Sequence, residues 1–245
     1  MTRLATGGVG VARLGAALLA LALGVGAIWA TASAQQFDES NGGSLSWAGP
    51  PHITSIVVTQ EGFQINWQQP EVSGLLKGYS IQRANPTGEF REIVFDTGTS
   101  QPYFLDTLEG VDPQYLESGK IWMYQVRAII WQNGQGTLTP WSSVELVTVP
   151  ELSRPAITGV QKNQPWGVAF TVMWQSPWLS WSTHALPLTG YIVWQSQEGS
   201  VFEIDRLGAD QTSYALNKPL GDVTYAFQAI YGPFLSPLTH WLNLN

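Results

Sequence analysis

The chain contains no cysteine. Disulfides, thiolate metal sites and a cysteine nucleophile are excluded together. Histidine is scarce: His52, His184 and His240 each stand at or near a segment end, with no second histidine or carboxylate at metal-ligand spacing. No metal or other cofactor is expected. Charge is sparse as well, with 12% charged residues, 11 basic against 18 acidic side chains and a formal net charge of −7. No run of Lys or Arg occurs, so neither nucleic acid nor an anionic membrane surface is an expected partner, since both need clustered cations. There is no Gly-rich phosphate loop, no Gly-x-Ser-x-Gly and no nucleophile with a visible activator. Neighbouring carboxylates such as Glu203/Asp205 and Asp38/Glu39 read as solvated surface. The expectation is a protein that is not an enzyme.

What is present in excess is aromatic, tryptophan above all. Hydrophobic residues make up 44% of the 245, and 12 are tryptophan. That permits a sizeable core, and the indoles are too many for all of them to fit inside small domains. Residues 1–34 have the three parts of an export signal: Arg3 and Arg13, then the uncharged Leu/Ala-rich run from Leu14 to Trp29, then Ala32-Ser33-Ala34 as a small-x-small cleavage pattern. The run is a little short for a spanning helix, which needs about 20 residues. An uncleaved N-terminal anchor is the rival reading. Without Arg3 and Arg13 the chain keeps 9 basic and 18 acidic side chains, a net −9. An exported chain with neither cysteine nor an Asn-x-Ser/Thr acceptor reads as bacterial rather than animal. Residues 35–49, rich in Gln, Ser, Asn and Gly, read as a flexible tether.

The rest of the chain repeats itself. Phe63-Gln-Ile65-Asn-Trp67-Gln-Gln-Pro70 matches Phe170-Thr-Val172-Met-Trp174-Gln-Ser-Pro177. Gly78-Tyr79-Ser-Ile81 matches Gly190-Tyr191-Ile-Val193, and Tyr124-Gln-Val126-Arg-Ala128 matches Tyr225-Ala-Phe227-Gln-Ala229. Three anchors in one order define two units, 50–149 and 150–245. The spacing grows from 107 (Phe63 to Phe170) to 112 (Tyr79 to Tyr191), so the second unit carries an insertion between its second and third strands. Apolar residues alternate at period two through each anchor and no helical period follows the leader. About seven short strands per unit describe an all-β, immunoglobulin-like sandwich.

The pattern resembles the fibronectin type III domain. It shows a Pro-rich entry, a buried Trp followed by x-x-Pro, and Gly-Tyr opening the third strand. An aromatic-rich sixth strand ends near Ala, and a Ser/Pro segment starts the last strand. In the first unit these are Pro50-Pro51, Trp67, Pro70, Gly78-Tyr79, Tyr124, Val126, Ala128, Pro140 and Ser142. In the second they are Pro155, Trp174, Pro177, Gly190-Tyr191, Tyr225, Phe227, Ala229, Ser236 and Pro237. The resemblance implies two tandem seven-stranded sandwiches and a binding or spacing role. It departs at the corner tyrosine, whose place Trp122 takes in the first unit and Val223 or Tyr225 in the second. Trp122 donates a hydrogen bond but cannot accept one as a hydroxyl does. Two prolines in residues 149–155 predict restricted bending between the units.

Candidate contact residues are aromatics on loops. The insertion places Trp178 and Trp181 in a loop, and Phe234 follows Gly232-Pro233 between the sixth and seventh strands. Both loops fall at the pole where the chain enters the second unit. They read either as a recognition patch for a protein or glycan at the cell surface, or as packing against the first unit. Trp131, in the Gly-rich loop of the first unit, and Trp194, turned outward by the alternation of Tyr191 and Val193, are further candidates. A binding or adhesion module is expected, with a structural spacer or assembly subunit of a larger envelope complex as the alternative.

Overall fold

The computed structural model describes residues 49–132, 134–164, 168–177, 186–217 and 221–244. Period-two alternation becomes strand throughout. The first unit runs β1 (His52–Thr59), β2 (Gly62–Gln68), β3 (Leu75–Ala84), β4 (Phe90–Val94), β5 (Tyr103–Asp106), β6 (Ile121–Gln132), β7 (Gln135–Leu138) and β8 (Glu145–Thr148), with a 3-10 turn at Pro113–Tyr115. The second runs β9 (Ala156–Lys162), β10 (Ala169–Gln175), β11 (Gly190–Gln197), β12 (Ser200–Gly208), β13 (Ser213–Asn217), β14 (Val223–Tyr231), β15 (Phe234–Leu235) and β16 (Leu242–Asn243). All pairings between these strands are antiparallel.

Each unit sets a three-stranded sheet against a larger one. In the first, β1-β2-β5 faces β4-β3-β6, with β7 and β8 both pairing β6. In the second, β9-β10-β13 faces β12-β11-β14, with β15 and β16 both pairing β14. The inward phase of each sheet supplies the core: Phe63, Ile65 and Trp67 against Tyr79, Ile81, Tyr124 and Val126, and then Phe170, Val172 and Trp174 against Tyr191, Val193, Tyr225 and Phe227, all buried. Trp67 meets Tyr79 edge-on at 4.7 Å, and Trp174 meets Tyr191 likewise at 5.3 Å.

The seventh strand is broken in both units, and the same residues break it. Thr139-Pro140-Trp141-Ser142 and Ser236-Pro237-Leu238-Thr239 interrupt it where proline offers no N–H to a ladder. Hydroxyls repair the gap. Thr139 Oγ1 accepts from the Ala128 amide at 2.9 Å and Ser142 Oγ from the Val126 amide at 3.0 Å. Ser236 Oγ accepts from Ala229 and Thr239 Oγ1 from Phe227, both at 2.9 Å.

At the corner, Trp122 does the donating work of a tyrosine hydroxyl. Its indole N–H reaches the Tyr115 carbonyl at 3.1 Å, across the 3-10 turn. In the second unit the Tyr225 hydroxyl reaches the Asn217 carbonyl at 3.5 Å.

Both sandwiches lie in one compact unit. The β1–β2 turn and the β5–β6 connection share the pole from which the chain leaves the first sandwich. The two-residue β14–β15 hairpin of the second sandwich rises into that pole. Leu235 N–H donates to the Leu116 carbonyl and Ser118 N–H to the Leu235 carbonyl, each at 3.0 Å, forming a parallel bridge. The linker is held from both sides. Ser118 Oγ donates to the Pro150 carbonyl at 2.8 Å and accepts from the Leu152 amide at 2.9 Å, while the Tyr231 hydroxyl donates to the Ser153 carbonyl at 2.9 Å.

Candidate interaction surface

The sequence-predicted aromatics separate into different environments. Phe234 is 0% exposed. Its ring sits 5.1 Å from that of Phe63, the first core residue of β2, so it completes the base of the first sandwich. The recognition-patch reading is therefore corrected for Phe234, and the packing reading holds. The physical reason is its place: Phe234 follows the two-residue turn of the β14–β15 hairpin, where Leu235 bridges to the first sandwich and sets the ring against Phe63. Trp178 and Trp181 lie outside the described residues.

Trp194 faces outward on β11 as the alternation predicts, but it is half-buried. Its indole N–H donates to Gln228 Oε1 at 3.0 Å, and Gln228 in turn donates to the Ser236 carbonyl at 2.7 Å and to Glu117 Oε1 at 3.4 Å. The indole is thus tied into the polar seam between the sandwiches.

Trp131, expected in a loop, instead lies on β6, paired on both sides, because the strand runs on to Gln132; it is 46% exposed. Its neighbours follow from strand register. β6 alternates strictly, with the even positions from Trp122 to Ile130 inward and Met123, Gln125, Arg127, Ile129 and Trp131 outward. Trp131 pairs with Leu75 on β3 and with Gly136 on β7; one row along, Ile129 pairs with Leu138. Directly opposed residues share a face. Leu75 (59% exposed), Trp131 and Leu138 (45% exposed) therefore form one outward apolar patch over three adjacent strands. Gly136 makes room for the indole: a Cβ there would lie 3.3 Å from the ring.

Further along the same face, the Arg127 guanidinium lies 4.2 Å from the centroid of Trp141 and 3.2 Å from Glu92 Oε1. Glu92 also accepts from the Ser80 hydroxyl. The sequence marks Trp131 as a candidate but not its neighbours Leu75, Leu138, Arg127 and Trp141. The pairing of β6 with β3 and β7 brings Leu75 and Leu138 beside Trp131, and the segment after β7 lays Trp141 over Arg127.

The inner side of this sheet holds a charge. Arg83 Nη1 donates to both oxygens of Asp106 at 2.8 and 2.7 Å, the Tyr124 hydroxyl donates to Asp106 Oδ2 at 2.7 Å, and the Leu108 amide to Oδ1 at 3.0 Å. Burial, reinforced by the adjacent Asp106 carboxylate, holds the Tyr124 hydroxyl well above its ordinary pKa. At the junction, burial and then the nearby Tyr191 push the Tyr231 hydroxyl up to about 12. Among the described residues, no group of three His, Asp or Glu side chains is placed to hold a metal ion, and no helix is long and apolar enough to cross a membrane.

The division of each unit into a three-stranded and a larger sheet in this strand order defines a tandem of fibronectin type III-like sandwiches. Similar solved structures include the chicken interferon gamma receptor alpha chain, 9% identical with a TM-score of 0.37, over 80% of this chain and 98% of that one. They also include the FN1–FN3 domains of chicken CNTN1, 14% identical with a TM-score of 0.35, over 80% of this chain and 66% of that one. No family model and no curated sequence matches the chain.

Proposed function

We propose that this chain is an exported, non-catalytic binding module that holds a protein partner on the outer face of its first sandwich, around Trp131. The observation that carries the reading is the in-register patch of Leu75, Trp131, Ile129 and Leu138, continued by Arg127 stacked on Trp141. Trp and Arg are the residues that dominate protein interfaces, and a contiguous exposed apolar patch on a folded domain marks a contact site. The aliphatic neighbours favour a protein over a glycan, which needs a ring of hydrogen-bonding groups around the indole. Export rests on the leader, and the absence of catalysis on the lack of an activated nucleophile in the sequence.

The reading is tested by a photo-reactive amino acid placed at Leu138 and, as a control, at Thr54 on the opposite sheet. In the exporting host the Leu138 probe should give a discrete protein adduct and the Thr54 probe none. Trp131→Ala should weaken binding of the captured partner about thirtyfold, the effect of losing a central aromatic anchor. Equal labelling from both probes, or an adduct indifferent to Trp131→Ala, would remove the face from consideration.

A further inference from the structure

The junction within the chain shows how one of these sandwiches caps another. An aromatic on the β14–β15 hairpin closes the pole of the first sandwich beside Phe63. The repeat puts Phe170 of β10 in the position of Phe63. Beside Phe170 an open cleft of about 320 Å³ is lined by Val160, Lys162, Phe170, Leu242, Asn243 and Leu244. Val160, though on the inward phase opposite buried Val172, is 44% exposed there. At the other end of the pair, the β6–β7 hairpin is the first sandwich's counterpart of β14–β15, and it presents Trp131 uncovered.

From this we infer that the partner of the Trp131 face is a second copy of the chain, seated head to tail, with the Trp131 hairpin of one copy in the Val160–Leu242 cleft of the next. The inference rests on the reading of the Trp131 face as a protein-binding surface. Charge agrees with it. The cleft carries Lys162, whose ammonium lies 5.8 Å from the Phe170 centroid, and an arriving indole offers that cation a second ring. The loop beside the β6–β7 hairpin carries exposed Glu71, a counter-charge for Lys162.

The contact differs from the one inside the chain in two respects. Trp131 lies on the outer phase of its hairpin where Phe234 lies on the inner, so its seat is the cleft beside Phe170 rather than the ring itself. The connection from β13 to β14 is also much shorter than that from β5 to β6, so no counterpart of the Leu116–Ser118 bridge is available. Side chains alone hold the copies together, and the association is weak. Because two different surfaces meet, the contact is heterologous and builds chains or rings of more than two copies rather than closing as a twofold dimer.

Sedimentation velocity of the exported protein over a wide concentration range tests this. The mean mass should climb with concentration without a plateau at the dimer. Trp131→Ala with Leu75→Ser blocks one end, and Val160→Glu with Lys162→Glu blocks the other. All four positions are exposed, so folding should survive, as near-ultraviolet circular dichroism would verify. Each variant alone should be monomeric, and a mixture of the two should form a dimer and stop there. A chain that stays monomeric at every concentration, or a mixture that forms no dimer, overturns the inference. If the chain is monomeric while the Leu138 probe still captures another protein, the binding face stands and the head-to-tail partner does not. If it captures nothing, both fall.

Discussion

Asp106 is 6% exposed at the end of β5, and a carboxylate so placed costs free energy unless its lone pairs are filled. Arg83, Tyr124 and the Leu108 amide fill them, and Arg83 also lies 5.2 Å from the Trp122 ring that closes the corner. Removing one partner of such a pair strands the other. Asp106→Ala should therefore cost about 3–5 kcal/mol, while the combined Arg83→Met and Asp106→Leu should recover only part of that loss, because the Tyr124 hydroxyl and the Leu108 amide still lack their acceptor. Chemical denaturation of the three proteins decides it. A single-variant loss under about 1 kcal/mol would show the carboxylate to be solvated. The inward phase of Trp67 and Trp174 was readable from alternation alone, whereas this polar cluster was not. Arg83 and Asp106 lie on strands in opposite sheets, and no local pattern marks a charge that points inward.

At the scale of the strand, the two interruptions of the seventh strand show what a repeat can and cannot reveal. Proline beside a hydroxyl is visible in both units, but naming Pro140 and Ser142 in the first and Ser236 and Pro237 in the second leaves out Thr139 and Thr239 and so misses the correspondence. The equivalence is functional: each unit uses two hydroxyls, three residues apart, as acceptors for sixth-strand amides that lose their ladder carbonyl. Thr239→Val keeps the shape and removes the acceptor from the buried Phe227 amide. An unsatisfied buried amide costs roughly 1–3 kcal/mol. Thr239→Ser, which keeps the oxygen, should cost much less. Thermal unfolding of both would check the pair, and equal losses would mean that the methyl group matters rather than the hydrogen bond. The sandwich arrangement follows from the fibronectin type III resemblance rather than from period alone, since β7 is exposed along its whole length and β11 is buried at four successive positions. Of the β6 patch only Trp131 stands out in the sequence, since nothing local marks Leu75 and Leu138 as its neighbours until register sets them beside it.

The two sandwiches share more than a linker. Prolines in the connecting segment predict restricted bending, and the β14–β15 hairpin adds direct contacts, setting Phe234 on Phe63 and bridging Leu235 to the chain at Leu116 and Ser118. Sequence placed Phe234 at the correct pole and left its role open, because a loop aromatic looks the same whether it meets a ligand or a neighbour. The fit at this pole is close enough to depend on one glycine. Gly232 has φ 63°, and a Cβ added there would lie 2.3 Å from the Gln60 carbonyl oxygen of the first sandwich. Alanine at Gly232 therefore meets two obstacles, a left-handed backbone and a collision with the other sandwich. Gly98 separates them. Its φ is 65°, and a Cβ there meets nothing within 4 Å. Gly98→Ala should show the backbone penalty alone, about 1 kcal/mol. Gly232→Ala should lose distinctly more and, like Phe234→Ala, should split a single calorimetric transition into two as the sandwiches uncouple. Phe234→Ala removes a fully buried ring and belongs in the range of about 3–5 kcal/mol. If Gly232→Ala unfolds in one transition with no greater loss than Gly98→Ala, the hairpin does not bear on the first sandwich in solution, and the two domains fold independently behind their proline-containing linker.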